Sequence, residues 1–213
     1  MNLVLITSLL NPINKELSYC STRSIYTTDE RFKQTIRSIE SIKKYIPNCY
    51  IILLECSINI KQYELMLKEH VNEYFNYCEN QDIISAVNSK YKGYGESTVL
   101  LNYFLEYNPI HQFNNIFKLS GRYMLNESFD YNLFKNNENI FKSVNSANVV
   151  STRLFKINIQ YLKEFIDILR KTIEYTKNGI SIEHIFYKLI KFKHVNVLGV
   201  CGYISVNGDY INE

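Results

Sequence analysis

The sequence predicts an α/β fold with a mostly parallel central sheet flanked by helices. Residues 3–6, 49–54 and 116–119 are short, almost continuous apolar runs, the pattern of strands buried on both faces. Between the first two, Phe32, Ile36, Ile39 and Ile42 recur at helical spacing. Each run ends in polar or small residues: Thr7-Ser8, Glu55-Cys56-Ser57 and Ser120-Gly121-Arg122. Strand, helix, strand is a βαβ unit, whose crossover is right-handed. Ligands of such sheets bind beyond the carboxyl ends of the strands.

The first ten residues are apolar but short, with no basic lead and no small-residue cleavage site, so they read as a first strand and not a signal peptide. Residues 11–28 form a long polar loop carrying Pro12 and Arg23, and long loops in compact domains are often functional. Thr27 and Glu30 have the spacing of a capping box and open the first helix. Arg31 and Arg37 read as its solvated face, and Pro47-Asn48 ends it. Residues 60–70 read as a helix and 71–77 as a short strand; 82–89 fit either state. Residues 92–96, Lys-Gly-Tyr-Gly-Glu, read as a turn launching a helix that packs through Val99, Leu100, Tyr103, Phe104 and Tyr107 and ends at Pro109.

After Tyr123 the pattern is less regular. A short helix is expected at 129–134, and strands at 140–144 and 148–154. Ile159, Leu162, Phe165, Ile166, Leu169 and Ile173 define a long amphipathic helix that Asn178-Gly179 breaks. A further helix is expected at 181–190 and strands at 195–200 and 203–206. With no internal repeat, low-complexity tract or linker, the reading is one domain over residues 1–213.

The 46% apolar and 21% charged content suits a full core and argues against disorder. A net charge of +3, with mixed signs along the chain, does not support nucleic-acid binding. The 18 Tyr and 12 Phe without Trp match a composition rich in Asn, Ile and Lys, which AT-rich coding produces. Cys20, Cys49, Cys56, Cys78 and Cys201 form no metal-type spacing, and their odd number argues against a disulfide framework. Cys49 and Cys201 read as core, and a reducing compartment is expected. No apolar run reaches transmembrane length, so no membrane span is expected.

Four places carry residues suited to chemistry. Glu55, at the end of the second strand, can accept hydrogen bonds from a ribose hydroxyl or base N–H. Gly93, Gly95 and Glu96 stand before a helix, where glycines admit close backbone approach and the helix start favours anions. This is neither a Walker loop nor a full dinucleotide fingerprint, and an ordinary loop with Glu96 complementing the helix dipole explains it equally well. Ser120-Gly121-Arg122-Tyr123 ends a strand in a Gly turn with a cation, and Arg122 can grip a diphosphate bidentately; the bland alternative is an ion pair closing the sheet edge. Glu183 lies at the margin of the buried arc of its helix, where a carboxylate can act as general base or merely complement the dipole. His184 reads as a surface residue, and His70, His111 and His194 are too scattered for a metal cluster. Arg23, in the long loop, is a candidate for phosphate or base contact.

This ordered set of features resembles a GT-A-type glycosyltransferase across most of the chain. Arg23-Ser24-Ile25-Tyr26, Glu30-Arg31-Phe32, Pro47 and residues 117–123, Phe-Lys-Leu-Ser-Gly-Arg-Tyr, resemble a small group of glycosyltransferases of large DNA viruses and bacteria, the Lys-x-Ser-Gly-Arg-Tyr run being the most specific feature. The resemblance implies a Rossmann-like nucleotide-binding half, 1–125, and an acceptor half, 126–213. It implies a nucleoside-diphosphate sugar donor such as a UDP-sugar, a glycan or glycoprotein acceptor, and a cytoplasmic location, that of the host if the protein is viral. It puts Thr7 at the end of the family's first strand and Arg23 and Glu55 on the nucleoside. Gly95, Glu96, Lys118, Ser120 and Arg122 fall on the diphosphate or donor sugar, and Glu183 as catalytic base. The family's Asp-x-Asp metal motif is missing, with Ser120, Gly121 and Arg122 in its place. Either Arg122 and Lys118 replace Mn2+ or Mg2+, or Asp130 supplies a ligand from the next turn, or the chain is a catalytically silent nucleotide- or glycan-binding module.

Overall fold

The computed structural model describes residues 1–107 and 112–213. The chain opens with β1 (Asn2–Ser8), crosses through α1 (Thr28–Tyr45) to β2 (Cys49–Glu55), and again through α2 (Lys61–His70) to β3 (Glu73–Asn76). Helices α3 (Gln81–Val87) and α4 (Lys92–Glu106) lead to β4 (Asn115–Ser120), and β5 (Tyr123–Leu125) follows almost at once. Short strands β6 (Ile140–Phe141), β7 (Ser143–Val144) and β8 (Val149–Val150) precede β9 (Leu154–Asn158). Then come α5 (Leu162–Lys177), α6 (Ile182–Leu189), β10 (Lys193–His194) and a hairpin of β11 (Val200–Tyr203) and β12 (Tyr210–Asn212).

The main sheet has seven strands in the order β10-β6-β9-β4-β1-β2-β3. β4, β1, β2 and β3 are parallel, β9 runs antiparallel to β4 and β6, and β10 is parallel to β6. β1 is buried on both faces, as its continuous apolar run requires. Leu3 and Leu5 pack toward α4, α5 and α6 through Leu100, Phe104, Phe165 and Phe186. Val4 and Ile6 face α1 and α2 through Ile39, Ile42 and Leu67. Register sets Thr7 against Ser120 and Ser8 against Glu55, so the carboxyl ends of β1, β2 and β4 form one level edge.

The opposite edge is closed by neutral amides. Asn2 Nδ2 donates to Pro47 O at 2.8 Å, Asn115 Nδ2 donates to Asn2 Oδ1 at 3.1 Å, and Asn158 N donates to Asn139 Oδ1 at 3.0 Å. All four asparagines are buried, which their partnering makes tolerable.

Helix α1 begins at the capping box: Thr27 Oγ1 accepts from Glu30 N, and Glu30 Oε2 accepts from Thr27 N. Its inner face is partly polar. Thr35 Oγ1 donates to Gly121 O at 3.0 Å, Ser38 Oγ donates to Tyr123 O at 2.6 Å, and Ser41 Oγ accepts from Leu125 N at 2.9 Å. A row of hydroxyls one helical turn apart therefore grips the backbone from Gly121 through β5. Arg31 stands at the head of that row and is buried, which corrects its assignment to a solvated face. Polar inner-face residues look like surface residues to a pattern that counts only apolar spacing.

Other corrections have local causes. Residues 92–96 are already helical, and Gly95 is there for packing: a Cβ on it would meet Val87 Cα of α3 at 2.6 Å. Of the ambiguous residues 82–89, 82–87 fall in α3 and the last two lie just beyond its end. The helix expected at 129–134 is a single 3-10 turn, Tyr131–Leu133. The strand expected at 140–144 divides into β6 and β7, and that at 148–154 shortens to β8. β9 went unpredicted because the buried Lys156 interrupts its apolar run. The strand expected at 195–200 fails at Gly199, whose φ of +67° turns the chain tightly over Phe129. The one expected at 203–206 turns back at residues 204–209, where Ile204 N donates to Asp209 O at 2.9 Å, giving the β11–β12 hairpin. Cys49 is half-buried, whereas Cys201 is in the core; all five cysteines are free thiols. Pro109 and His111 lie outside the described residues.

Gly95→Ala should destabilise the fold by about 1–3 kcal/mol, because backbone must move to admit the methyl group. Chemical denaturation measures this; an unchanged midpoint would mean that the α3–α4 contact is not tight.

Candidate functional site

A cavity opens at the level edge formed by β1, β2 and β4. Thr7 and Ser8 from β1, Cys56 beyond β2, and Ser120, Gly121 and Arg122 beyond β4 form its floor. Arg31 and Thr35 of α1 and Lys92, Gly95 and Glu96 of α4 form facing walls. The long loop supplies Leu9, Leu10, Pro12 and Arg23, and the β11–β12 turn supplies Ser205. Thr7, Arg23, Gly95, Glu96, Ser120 and Arg122 are thus brought together around one cavity. Glu55, Lys118 and Glu183 stand behind or beside the wall. Asp130 is exposed and accepts from Asn132 N at 2.9 Å, capping the 3-10 turn.

Several of these side chains are already engaged. Arg23 Nη1 donates to Val87 O at 2.9 Å, Nε to Lys15 O at 3.1 Å, and Nη2 to Ser89 O. Its guanidinium clamps the long loop onto the end of α3. Glu55 is wholly buried, and its Oε1 accepts from Leu10 N at 3.1 Å, Cys56 N at 3.0 Å, Ser57 N at 2.9 Å and Ser57 Oγ. That oxygen shapes the floor, and Oε2 is buried without a hydrogen-bond partner among the described residues. The buried Lys118 pairs with Glu96, and its Nζ donates to Ser120 Oγ and to Thr152 O, each at 2.8 Å. Glu96, the one carboxylate lining the cavity among the described residues, is therefore neutralised from behind.

What remains is positive. Arg31 Nε donates to Leu9 O at 2.7 Å and Nη1 to Ser24 Oγ at 3.2 Å. Burial, reinforced by Arg122, pulls its ionisation down to about 9, and Glu55 offsets this in part. A guanidinium so placed stays charged at neutral pH. Lys92 Nζ donates to Ser205 Oγ at 3.2 Å and lies 5.9 Å from the centre of the Tyr19 ring. Burial, then Arg122, Arg31 and Arg23, lower its pKa to about 7. Arg122 has no carboxylate within ion-pairing distance among the described residues, and its Nε is buried without a hydrogen-bond partner. This departs from the alternative in which Arg122 pairs with an acid at the sheet edge.

Tyr123 holds Arg122 from the side. Its buried ring lies near two guanidiniums, with Arg122 Cζ at 5.4 Å and Arg153 Cζ at 5.5 Å from the centroid. Arg153 in turn pairs with Glu213 at 2.9 Å. Desolvation raises the Tyr123 pKa, but Arg122 and Arg153 more than compensate and the net shift is downward. Glu183, half-buried in the first turn of α6, accepts from Thr152 Oγ1 at 3.2 Å. Since Thr152 O holds Lys118, Glu183 is one residue removed from the Glu96–Lys118 pair. His184 is exposed and bonds to Ser181 Oγ at 2.7 Å.

Sequence reasoning missed Arg31, Lys92, Ser205 and Arg153. Arg31 had a legible signal, since Thr35 and Ser38 extend its row along the helix at intervals that keep one face. Lys92, Ser205 and Arg153 meet the site only through tertiary contacts between distant segments.

No protein-family model matches the chain, and no curated protein does. Solved structures do. An active-site mutant of LgtC superposes with a TM-score of 0.56 at 9% identity, over 90% of this chain and 71% of that one. LgtC as a galactosyltransferase in complex with donor and acceptor sugar analogues matches at 0.50 and 8%, over 88% and 69%. The glycosyltransferase GlyE of Streptococcus pneumoniae TIGR4 matches at 0.50 and 13%, over 89% of this chain but only 43% of its own length. The fold is GT-A-like, as the sequence predicted.

Tyr123 should ionise below the ordinary tyrosine value of about 10. Alkaline absorbance titration of the protein, with Tyr123→Phe subtracted, reads it; a transition at or above the ordinary value would mean that the two guanidiniums do not lie near the ring.

Proposed function

We propose that the chain transfers a sugar from a nucleoside-diphosphate donor to a hydroxyl group on a glycan or glycoprotein, with UDP-sugars the first donors to test. One observation carries this reading: at the carboxyl edge of a GT-A-like sheet, Arg31, Lys92 and Arg122 surround a cavity whose lining carboxylate is already paired. A leaving nucleoside diphosphate develops charge in the transition state, and preorganised cations stabilise it. Arg122 supplies a bidentate grip, with Arg31 and Lys92 beside it. Thr7 and Ser120 offer polar groups at the floor. Residues 1–125 form most of this wall, and 126–213 carry the acceptor side, including Glu183.

The donor set does not suit a divalent cation. Among the described residues no three His, Cys, Asp or Glu side chains gather as ligands, Glu96 is bound to Lys118, and Asp130 caps its own turn. In this reading the cations stabilise the diphosphate in the place of Mn2+ or Mg2+. Glu183 would take the proton from the acceptor hydroxyl as general base, leaving the oxygen free to attack the anomeric carbon. A second reading, a catalytically silent binding module, is favoured by Glu183 standing outside the cavity wall and bonded to Thr152.

No helix among the described residues is long and apolar enough to cross a membrane, so purified chain in aqueous buffer is the test material. Calorimetry should show UDP binding that is indifferent to manganese. Arg122→Ala should weaken it about ten- to a hundredfold, the equivalent of one or two charged hydrogen bonds. Absence of binding by every nucleoside diphosphate, or an unchanged affinity in Arg122→Ala, overturns the site. For the base, Glu183→Ala should lower transfer at least about a hundredfold while UDP affinity stays constant. Binding without turnover across a donor–acceptor screen would select the silent module.

A further inference from the structure

The cavity contains a lysine, Lys92, that is ion-paired with no carboxylate among the described residues. Lys92 sits in the first turn of α4, largely enclosed by the long loop, α1, the segment after β4 and the β11–β12 turn. Charged and titratable groups face it from each direction: Arg23, Tyr19 and Cys20 from the loop, Arg31 from α1, and Arg122 from beyond β4. Ser205 reaches it from the β11–β12 turn, a neutral hydroxyl. Glu96 lies one turn along its own helix but is bound to Lys118. A lysine among three guanidiniums, whose one hydrogen bond among the described residues goes to a hydroxyl, is in an environment that disfavours the ammonium form.

We propose that Lys92 is a phosphate-contacting residue whose charge is completed by the ligand, so that the cavity takes up a proton when it takes up a dianionic phosphate or diphosphate. The balance is simple: neutral Lys92 amine, one proton from solvent and the anion combine to give an ammonium–phosphate contact. No covalent bond changes. The proposal rests on the nucleotide-sugar reading only for the identity of the natural ligand; the proton linkage belongs to the cavity itself.

The geometry sets the direction. An anion beside Lys92 favours the ammonium form, so its pKa rises from about 7 in the free protein toward the ordinary lysine value. Below the free value the lysine is already charged and affinity is at its full level. As pH rises above it, each binding event needs a proton from solvent, and affinity falls about tenfold per pH unit until the bound-state value is reached. Among anions the site thereby favours the more highly charged, since three guanidiniums and an ammonium attract each added negative charge. Arg31, pulled down only to about 9, would place any dependence of its own at the top of this range and not around 7.

The test uses the whole chain with carbon-13 lysine, following each lysine side-chain resonance against pH, with Lys92 identified by its loss in Lys92→Arg. Sulfate and UDP-glucose serve as probes because neither titrates between about pH 6 and 9, so any proton taken up goes to the protein. Lys92 should titrate near 7 alone and move upward by at least about one unit with either probe. Lys92→Arg should bind UDP-glucose with an affinity that stays flat through pH 7, where Lys92 titrates and Arg31, near 9, remains charged. A Lys92 that titrates with the ordinary lysines in the free protein, or does not move with either probe, overturns the proposal. So does a fall in affinity around pH 7 that is retained in Lys92→Arg. If sulfate shifts Lys92 and UDP-glucose does not, the proton linkage stands and the nucleotide-sugar reading fails.

Discussion

The position of Arg122 depends on a row of hydroxyl groups on a neighbouring helix. Beyond Ser120 the chain leaves the main sheet and enters β5, which pairs with β11 in a separate three-stranded sheet, a place where an unsupported backbone would fray. Thr35, Ser38 and Ser41 bond to the backbone of Gly121, Tyr123 and Leu125 and fix that departure. Arg31, at the head of the same row, enters the cavity beside the segment its neighbours hold. Gly121 N, donating to Thr7 O at 2.9 Å, ties the same segment to the end of β1. One helix face therefore does two things: it fixes the backbone that carries one cation and supplies another.

Bringing these cations together is electrostatically unfavourable, and each is accommodated differently. Arg23 gives up its donors to backbone carbonyls and becomes a structural clamp. Lys118 is buried completely and paired with Glu96. Arg31 divides its donors between a carbonyl and a hydroxyl, with Glu55 nearby as compensation. Arg122 rests against the Tyr123 ring and keeps Nε without a partner among the described residues. Charges held in a polar cavity, with donors left over, favour an anion there more strongly than the same charges on an open surface.

The chain was legible where its rules are local. Continuous apolar runs marked β1, β2 and β4, the Thr27–Glu30 spacing marked the start of α1, and Asn178-Gly179 marked the end of α5. The later half was harder to read. β9 carries the buried Lys156, which looks like a surface residue until the loop carbonyl of Asn136 that satisfies it is known. The terminal hairpin had a signal in Asn207-Gly208, a favoured hairpin dipeptide, which the neighbouring apolar residues obscured. At the site, residue type alone singled out Arg122, because a cation after a strand and a glycine is conspicuous. It did not separate Arg23, with its donors committed, from Arg31, which faces the cavity. That difference depends on which carbonyls the folded chain brings within reach.

The two edges of the main sheet are built from different chemistry. At the edge that holds the amino ends of β1 and β4 and the carboxyl end of β9, Asn2, Asn115, Asn139 and Asn158 link three strands and a loop through uncharged amides. At the carboxyl ends of β1, β2 and β4, titratable side chains crowd a cavity. Amides bind no protons in the physiological range, so the first edge keeps its bonds while the second changes protonation. The arrangement also matters for how such a chain can diversify. Substitutions that retune the cavity leave the amide edge untouched, and the sheet stays pinned at one end while the other explores new ligands. Polarity between its ends gives the fold a conservative margin and an adaptable one, and new specificity would be expected to arise at the latter.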